Sequence, residues 1–147
     1  MSIHTTNEPQ VWYSMINNQP YPTVSEFIQV TNENFDLLKD EIQLSIDSFN
    51  SEHDWNGMWT LDDVTSRLNL NHKLFLGIDD NGPLSHMWSD KGYLYNVYVS
   101  KRRSKGYGVR FVHNCLNHIT ETNITVYCDE WNTRAQKFTE DLGFTKK

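Results

Sequence analysis

Tyr93-Leu94-Tyr95-Asn96-Val97-Tyr98-Val99, a short loop, Arg103-Ser104-Lys105-Gly106-Tyr107-Gly108, and then Val109, Val112, Leu116 and Ile119: this run decides the fold. Its first seven residues are β-branched or aromatic almost throughout, which predicts a strand. Its last four apolar residues recur at three- and four-residue spacing, which predicts a helix with one buried face. Between them lie two glycines and the cations Arg103 and Lys105. The first turn of a helix carries unpaired N–H groups and the positive end of its dipole. Glycines just ahead of it let a ligand approach the backbone, so the stretch suits an anion such as a pyrophosphate. A glycine-capped helix start with solvated charges explains the same residues, and the loop alone does not choose between the two. A Rossmann fingerprint would need a glycine where Phe111 stands. A P-loop would need Lys followed by Ser or Thr after its second glycine.

Upstream of this run, Lys73–Ile78 and Leu84–Trp88 read as strands joined by the turn Asp80-Asn81-Gly82. Ser89–Gly92 turns again into Tyr93, giving an antiparallel meander. Phe35, Leu38, Ile42 and Ile46 form a helical stripe that Thr31 caps, and Glu26–Val30 is a short strand before it. Thr60-Leu61-Asp62-Asp63 resembles a capping box opening a shorter helix with Leu61, Val64 and Leu68 inward. Downstream, Asn123–Asp129 reads as a strand. Asn132 starts a last helix with Ala135, Phe138 and Leu142 inward and Gly143 just past its end. The element order is β–α–α–β–β–β–α–β–α: one mixed α/β sheet flanked by helices. Residues 1–24 are an N-terminal extension in which Val11–Ile16 supplies an extra strand and Asn17–Pro22 a turn, and residues 25–147 form the main domain.

The chain has 147 residues, 37% hydrophobic and 13% aromatic, enough for one core. Mean hydropathy is −0.65, no apolar run approaches the roughly 20 residues of a membrane helix, and Met1–Gln10 does not read as a secretory signal. A cytoplasmic protein without membrane contact is the expectation. A net charge of −6 argues against bulk nucleic-acid binding despite the basic cluster Lys101, Arg102, Arg103, Lys105 and Arg110. It favours a cationic acceptor such as an amine. Cys115 and Cys128 sit in apolar segments and read as buried thiols. His113, Cys115 and His118 do not share a helix face, so no metal site is implied.

Val97, Val99, Arg103, Gly106 and Gly108 resemble the acetyl-CoA motif of the GNAT superfamily, Arg/Gln-x-x-Gly-x-Gly/Ala after a strand. Asn132, Ala135, Phe138, Leu142, Gly143 and Phe144 are similar to that family's second motif. The resemblance implies a GNAT-like, mostly antiparallel sheet in which the strands at Tyr93–Val99 and Asn123–Asp129 splay apart. It implies acetyl-CoA as acyl donor, its pantetheine arm lying against Val97, Tyr98 and Val99. The pyrophosphate would rest on the amides of Arg103, Ser104, Lys105, Gly106, Tyr107, Gly108 and Val109, and Asn132 would reach the donor unless it is simply a helix cap. An amide near Val97 would polarise the thioester carbonyl. Tyr93 and Tyr95 would face the acceptor, with Trp88 and Trp131 near them, though aromatics in such places also build core. The implied activity is transfer of acetyl to a small-molecule or protein primary amine by direct attack in a ternary complex. The alternative is a GNAT-like domain that binds acyl-CoA without transfer.

The sequence departs from the family pattern in three places. Thr139 stands where the family usually carries the tyrosine that protonates the leaving thiolate. The loop before Arg103 is one residue short. The two strands that usually follow the Gly-Phe pair are missing, a shortened C-terminus that would leave Asn123–Asp129 as a bare edge. Either Val11–Ile16 or a strand of a second copy, in a homodimer, is expected to cover it. No general base is evident; Asp129 and Glu130 are the carboxylates nearest the cleft.

Overall fold

The structure, a computed structural model, describes residues 9–52 and 59–147. Part of the N-terminal extension, residues 1–8, lies outside them. Among the described residues the strands β1 (Gln10–Ile16), β2 (Ile28–Val30), β3 (Lys73–Asp79), β4 (Gly82–Asp90), β5 (Tyr93–Val99), β6 (Asn123–Asp129) and β7 (Thr145–Lys146) form one sheet in the order β2-β3-β4-β5-β6-β1-β7. Every neighbouring pair runs antiparallel except β5 and β6. The helices are α1 (Lys39–Glu52), α2 (Leu61–Asn69), α3 (Tyr107–Leu116) and α4 (Thr133–Asp141).

The two faces of the sheet have separate cores. α1 and α2 cover one face, where Ile42, Ile46, Phe49, Val64 and Leu68 pack with Leu74, Leu76, Trp88, Tyr95 and Tyr98. α3 and α4 cover the other, where Phe111, Val112, Cys115, Leu116 and Leu142 pack with Phe75, Met87, Leu94 and Ile124. Both cysteines are free and buried, as their apolar contexts predict, and burial pushes both thiols above the usual range.

Local signals account for most boundaries. Thr60 Oγ1 accepts from the Asp63 amide and Asp63 Oδ2 accepts from the Thr60 amide, a complete capping box. Gly143, with φ +107°, ends α4; its amide donates to Glu140 O and that of Phe144 to Thr139 O, the paired bonds of a Schellman cap. The stripe beginning at Phe35 enters as a 3-10 turn, Asp36–Leu38, before α1 proper, while Thr31 Oγ1 accepts from the Asn34 amide one turn earlier. The strand read at Glu26–Val30 is shorter, Ile28–Val30. β4 extends to Asp90, so the turn read at Ser89–Gly92 contracts to Lys91-Gly92, both with positive φ, the geometry that joins twisted antiparallel strands.

The sheet edge is settled by the N-terminal strand. β1 pairs with β6 from Gln10↔Asp129 to Ile16↔Asn123, and β7 pairs with β1 on its other side. Tyr13 is wholly buried and its hydroxyl donates to Glu140 Oε2 at 3.0 Å, tying β1 to α4. Asn17 and Gln19 side chains donate to the carbonyls of Leu116, the last residue of α3, and of Ile119 just after it.

Candidate functional site

β5 and β6 pair only at Tyr93↔Thr125, where the Thr125 amide donates to Gly92 O at 2.9 Å. No further ladder pairing joins them toward Val99 and Asp129, so the sheet opens in its middle, at the place the resemblance implied. Parallel strands joined by α3 could pair along their length; the local shape of β5 works against it. The β4–β5 register shifts between His86 and Trp88, and Asn96 has φ +48°. This bulge inserts a residue and reverses the alternation of side chains. Tyr95 and Tyr98 therefore both pack toward α1 and α2, while Leu94, Val97 and Val99 pack toward α3. A buried chain of side chains holds the bulge: Ser45 Oγ lies 2.7 Å from His86 Nδ1, and His86 Nε2 lies 2.8 Å from Asn96 Oδ1.

Beyond the opening, Gly106 (φ +81°) starts α3. The amides of Ser104, Lys105, Gly106, Gly108 and Val109 make no hydrogen bond among the described residues. Those of Arg103 and Tyr107 are already used, by Ser100 O and Ser104 O at 3.2 and 3.1 Å. Residues 101–106 are exposed. The loop is anchored by Arg102, whose guanidinium makes two bonds to Asp79 (2.8 and 3.0 Å) and donates to Gly82 O and Pro83 O. The Arg102 bond holds the Asp79 carboxyl below its ordinary range. Arg103 Nη1 donates to Ser100 O at 3.1 Å, and Lys105 is exposed. Glycine at 108 serves packing: a Cβ there would meet Phe138 Cε1 at 3.0 Å and Val99 Cγ2 at 3.2 Å. The Tyr107 side chain turns into the core, its hydroxyl 3.0 Å from Ser85 Oγ, where Gly77 leaves it room.

Other sequence-derived candidates sit differently. Asn132 Oδ1 accepts from the Ala135 amide at 3.1 Å, so it caps α4. Thr139 is 5% exposed; its hydroxyl donates to Ala135 O at 2.7 Å and lies 3.3 Å from Cys128 Sγ. It is a packed helix residue and offers no acid to the opening. The Tyr98 hydroxyl donates to Glu52 Oε2 at 2.6 Å on the α1 side, so only the backbone of Tyr98 borders the opening. Trp88 stacks on Tyr95, whereas Trp131 is 66% exposed and apart from that group. Asp129 Oδ1 is buried without a hydrogen-bond partner among the described residues.

Sequence reasoning missed one cluster. The Tyr95 hydroxyl accepts from Arg67 Nη1 at 3.4 Å and makes a short hydrogen bond to His72 Nδ1. His72 Nε2 lies 3.5 Å from Asp90 Oδ2. Burial lowers the His72 pKa, against the pull of Asp90 and with help from Arg67 and Lys91. Burial also pushes Tyr95 up to about 12. A histidine just before β3, with an aspartate at the end of β4 and a tyrosine in β5, was the available hint. No helix among the described residues is long and apolar enough to cross a membrane.

A family model described as FR47-like protein matches residues 85–147. Among curated proteins none matches this sequence. A candidate acetyltransferase of the GNAT family from Novosphingobium aromaticivorans superposes with TM-score 0.58 at 12% identity, over 95% of this chain and 61% of its own. A Drosophila protein gives TM-score 0.64 at 13% identity, over 94% of this chain and 47% of its own. A structure named a probable acetyltransferase gives 0.57 at 17%, over 82% and 90%. The chain thus spans about half to three fifths of the first two. With its central strands parted, a glycine-started helix behind the gap and these likenesses in three dimensions, the chain has the GNAT superfamily fold.

Proposed function

We propose that the protein transfers an acetyl group from acetyl-CoA to a primary amine by direct attack within a ternary complex. The observation that carries this reading is the opening between β5 and β6, with unpaired loop amides directly behind it. Strand edges and helix-start amides without a protein partner can exchange water for a ligand, and an extended amide-bearing arm ending in a diphosphate offers acceptors in that order.

On this reading Ser104, Lys105, Gly106, Gly108 and Val109 hold the diphosphate through their amides. Arg103 and Lys105 add charge, and Arg102 keeps the loop in place through Asp79. The backbone of Val97 and Val99 lines the arm. Acetyl-CoA supplies the acyl group as an activated thioester. The Asn96 bulge turns the backbone at Val97, and a donor fixed in advance there stabilises charge developing on the carbonyl oxygen. The leaving thiol ionises near the free-thiol value of roughly 8.5, so the reaction tolerates the lack of an acid at Thr139.

That lack also favours a second reading, a domain that binds acyl-CoA without transfer. Thermal unfolding with and without acetyl-CoA tests the donor site: stabilisation that grows with ligand concentration is expected. Release of free thiol in the presence of primary amines separates transfer from binding. An unchanged midpoint at millimolar acetyl-CoA, together with no thiol release, removes both readings.

A further inference from the structure

On the α1–α2 face, six aromatic rings run in succession across the sheet, from Trp12 in β1 to Trp59 ahead of α2. Neighbouring centroids are 5.2 Å apart for Trp12–Tyr127, 6.2 Å for Tyr127–Tyr93, 5.7 Å for Tyr93–Tyr95, 6.1 Å for Tyr95–Trp88 and 5.7 Å for Trp88–Trp59. All but the first pair lie within 17° of parallel. Trp88 and Trp59 are core. The other end is open: Trp12 is 42% exposed, and Tyr93 and Tyr127 are half-buried. Packing explains the buried end and leaves the open end unexplained. The row also holds a cation of its own, the Arg67 guanidinium lying 5.1 Å from the Trp59 ring centre and 5.4 Å from that of Tyr95. The row crosses the sheet where β5 and β6 begin to part, at Tyr93, and Tyr95 stands between its open end and His72.

We propose that Trp12, Tyr93 and Tyr127 seat the ring of a flat-bodied primary amine, and that Tyr95 and His72 carry away the proton this amine loses. The inference rests on the acetyltransferase reading and names its acceptor. As the amine nitrogen bonds to the acetyl carbon, the carbon–sulfur bond breaks and sulfur leaves with the electron pair. The nitrogen gives a proton to Tyr95 Oη while Tyr95 gives its own to His72 Nδ1. The released thiolate takes a proton from water, and the imidazolium returns one to water, so the count closes.

Each neighbour suits the transfer. Arg67 of α2 donates to Tyr95 Oη and steadies negative charge there. Asp90 of β4 faces His72 Nε2 and steadies the imidazolium. Lys91, in the following turn, opposes that charge. Burial lowers the His72 pKa, which favours the neutral ring; with Nε2–H directed at Asp90, Nδ1 is the nitrogen that accepts from Tyr95. Tyr95, raised to about 12, keeps its proton unless it passes it on.

The test uses the full chain, acetyl-CoA and four amines: 2-phenylethylamine, tryptamine, spermidine and glucosamine. The aromatic amines are expected to show kcat/KM about tenfold or more above the other two. Trp12→Ala should raise KM for them about tenfold, with KM for acetyl-CoA unchanged. His72→Gln keeps an acceptor for the Tyr95 hydroxyl but cannot take its proton. It should lower kcat about 10²-fold and erase the acidic limb of the pH–rate profile, which a purely structural loss would leave in place. Tyr95→Phe should do the same. Equal or better turnover of spermidine overturns the ring seat, and an intact acidic limb in His72→Gln overturns the relay. Stabilisation by acetyl-CoA is measured on every variant. If wild type shows none, the acetyltransferase reading falls. If stabilisation is present but no aromatic amine is acetylated, only this inference falls.

Discussion

Asn96 offers a way to weigh the bulge that opens the site. Glycine and alanine at this position both remove the side chain that meets His86 Nε2 at 2.8 Å. They remove Nδ2, which has no partner among the described residues, as well, so these terms cancel when the two variants are compared. Backbone terms remain. In an ordinary strand alanine is better than glycine by about 0.5–1 kcal/mol, because glycine loses more freedom on folding. At φ +48° a Cβ costs about 1–2 kcal/mol that glycine does not incur. The difference makes Asn96→Gly the more stable by roughly 0–1.5 kcal/mol, an inversion of the usual order. Both should fall below wild type, since a buried hydrogen bond between groups 4% and 7% exposed is worth about 1 kcal/mol. Urea unfolding followed by tryptophan fluorescence reads the difference as a shift of midpoint at constant slope. Asn96→Ala clearly more stable than Asn96→Gly refutes the left-handed bulge and, with it, the account of why β5 and β6 part.

Gly108→Ala should destabilise by about 1–3 kcal/mol through overpacking against Phe138 and Val99; an unchanged midpoint contradicts the close approach of α3 to α4. Arg102→Ala should leave the unfolding midpoint nearly unchanged and reduce stabilisation by acetyl-CoA, because it frees the loop rather than removing a core contact; equal stabilisation in titrations of both proteins opposes it. Tyr13→Phe should cost about 1 kcal/mol by deleting the bond to Glu140, measurable by denaturant unfolding. For pH, the folded state holds His72 below its ordinary pKa and so binds fewer protons than the unfolded chain. The stability this gives is complete above about 6.5 and is lost as pH falls below that toward the folded value. His72→Gln should flatten the acid side of the stability profile, and an unaltered slope below pH 6.5 refutes the assignment.

Signals confined to a few neighbouring residues were legible. Thr60 with Asp63 announced a capping box, Gly143 a helix end, and the run Tyr93–Val99 the central strand. The glycine-started helix after β5 was legible as a local pattern, but not which amides before it stay free: Arg103 and Tyr107 turn inward to Ser100 and Ser104, and no residue pattern encodes that. Gly108 reads in sequence as room for a ligand; Phe138, thirty residues on, supplies the other reason. The bulge at Asn96 was hidden because Tyr95, Val97 and Val99 imitate strict alternation, while burial on two faces shows the slip. Thr139 was placed by family pattern, and its hydroxyl proved to be spent on its own helix. The chain Arg67–Tyr95–His72–Asp90 joins a helix, a loop and two strands, so only tertiary structure assembles it.

β1 is the second element in from one edge of the sheet, yet its partners belong to the last quarter of the chain, and Tyr13 meets Glu140 across 127 residues of sequence. During synthesis this segment leaves the ribosome well before its partners β6 and β7, and so finds its place late. Until Asn123–Asp129 emerges, a strand carrying Trp12, Tyr13 and Ile16 has nothing to pair with and remains exposed to other nascent chains. Late closure of so long a loop is an entropic bottleneck, so refolding should be slow, and chaperone demand should centre on Gln10–Ile16 rather than on the helices.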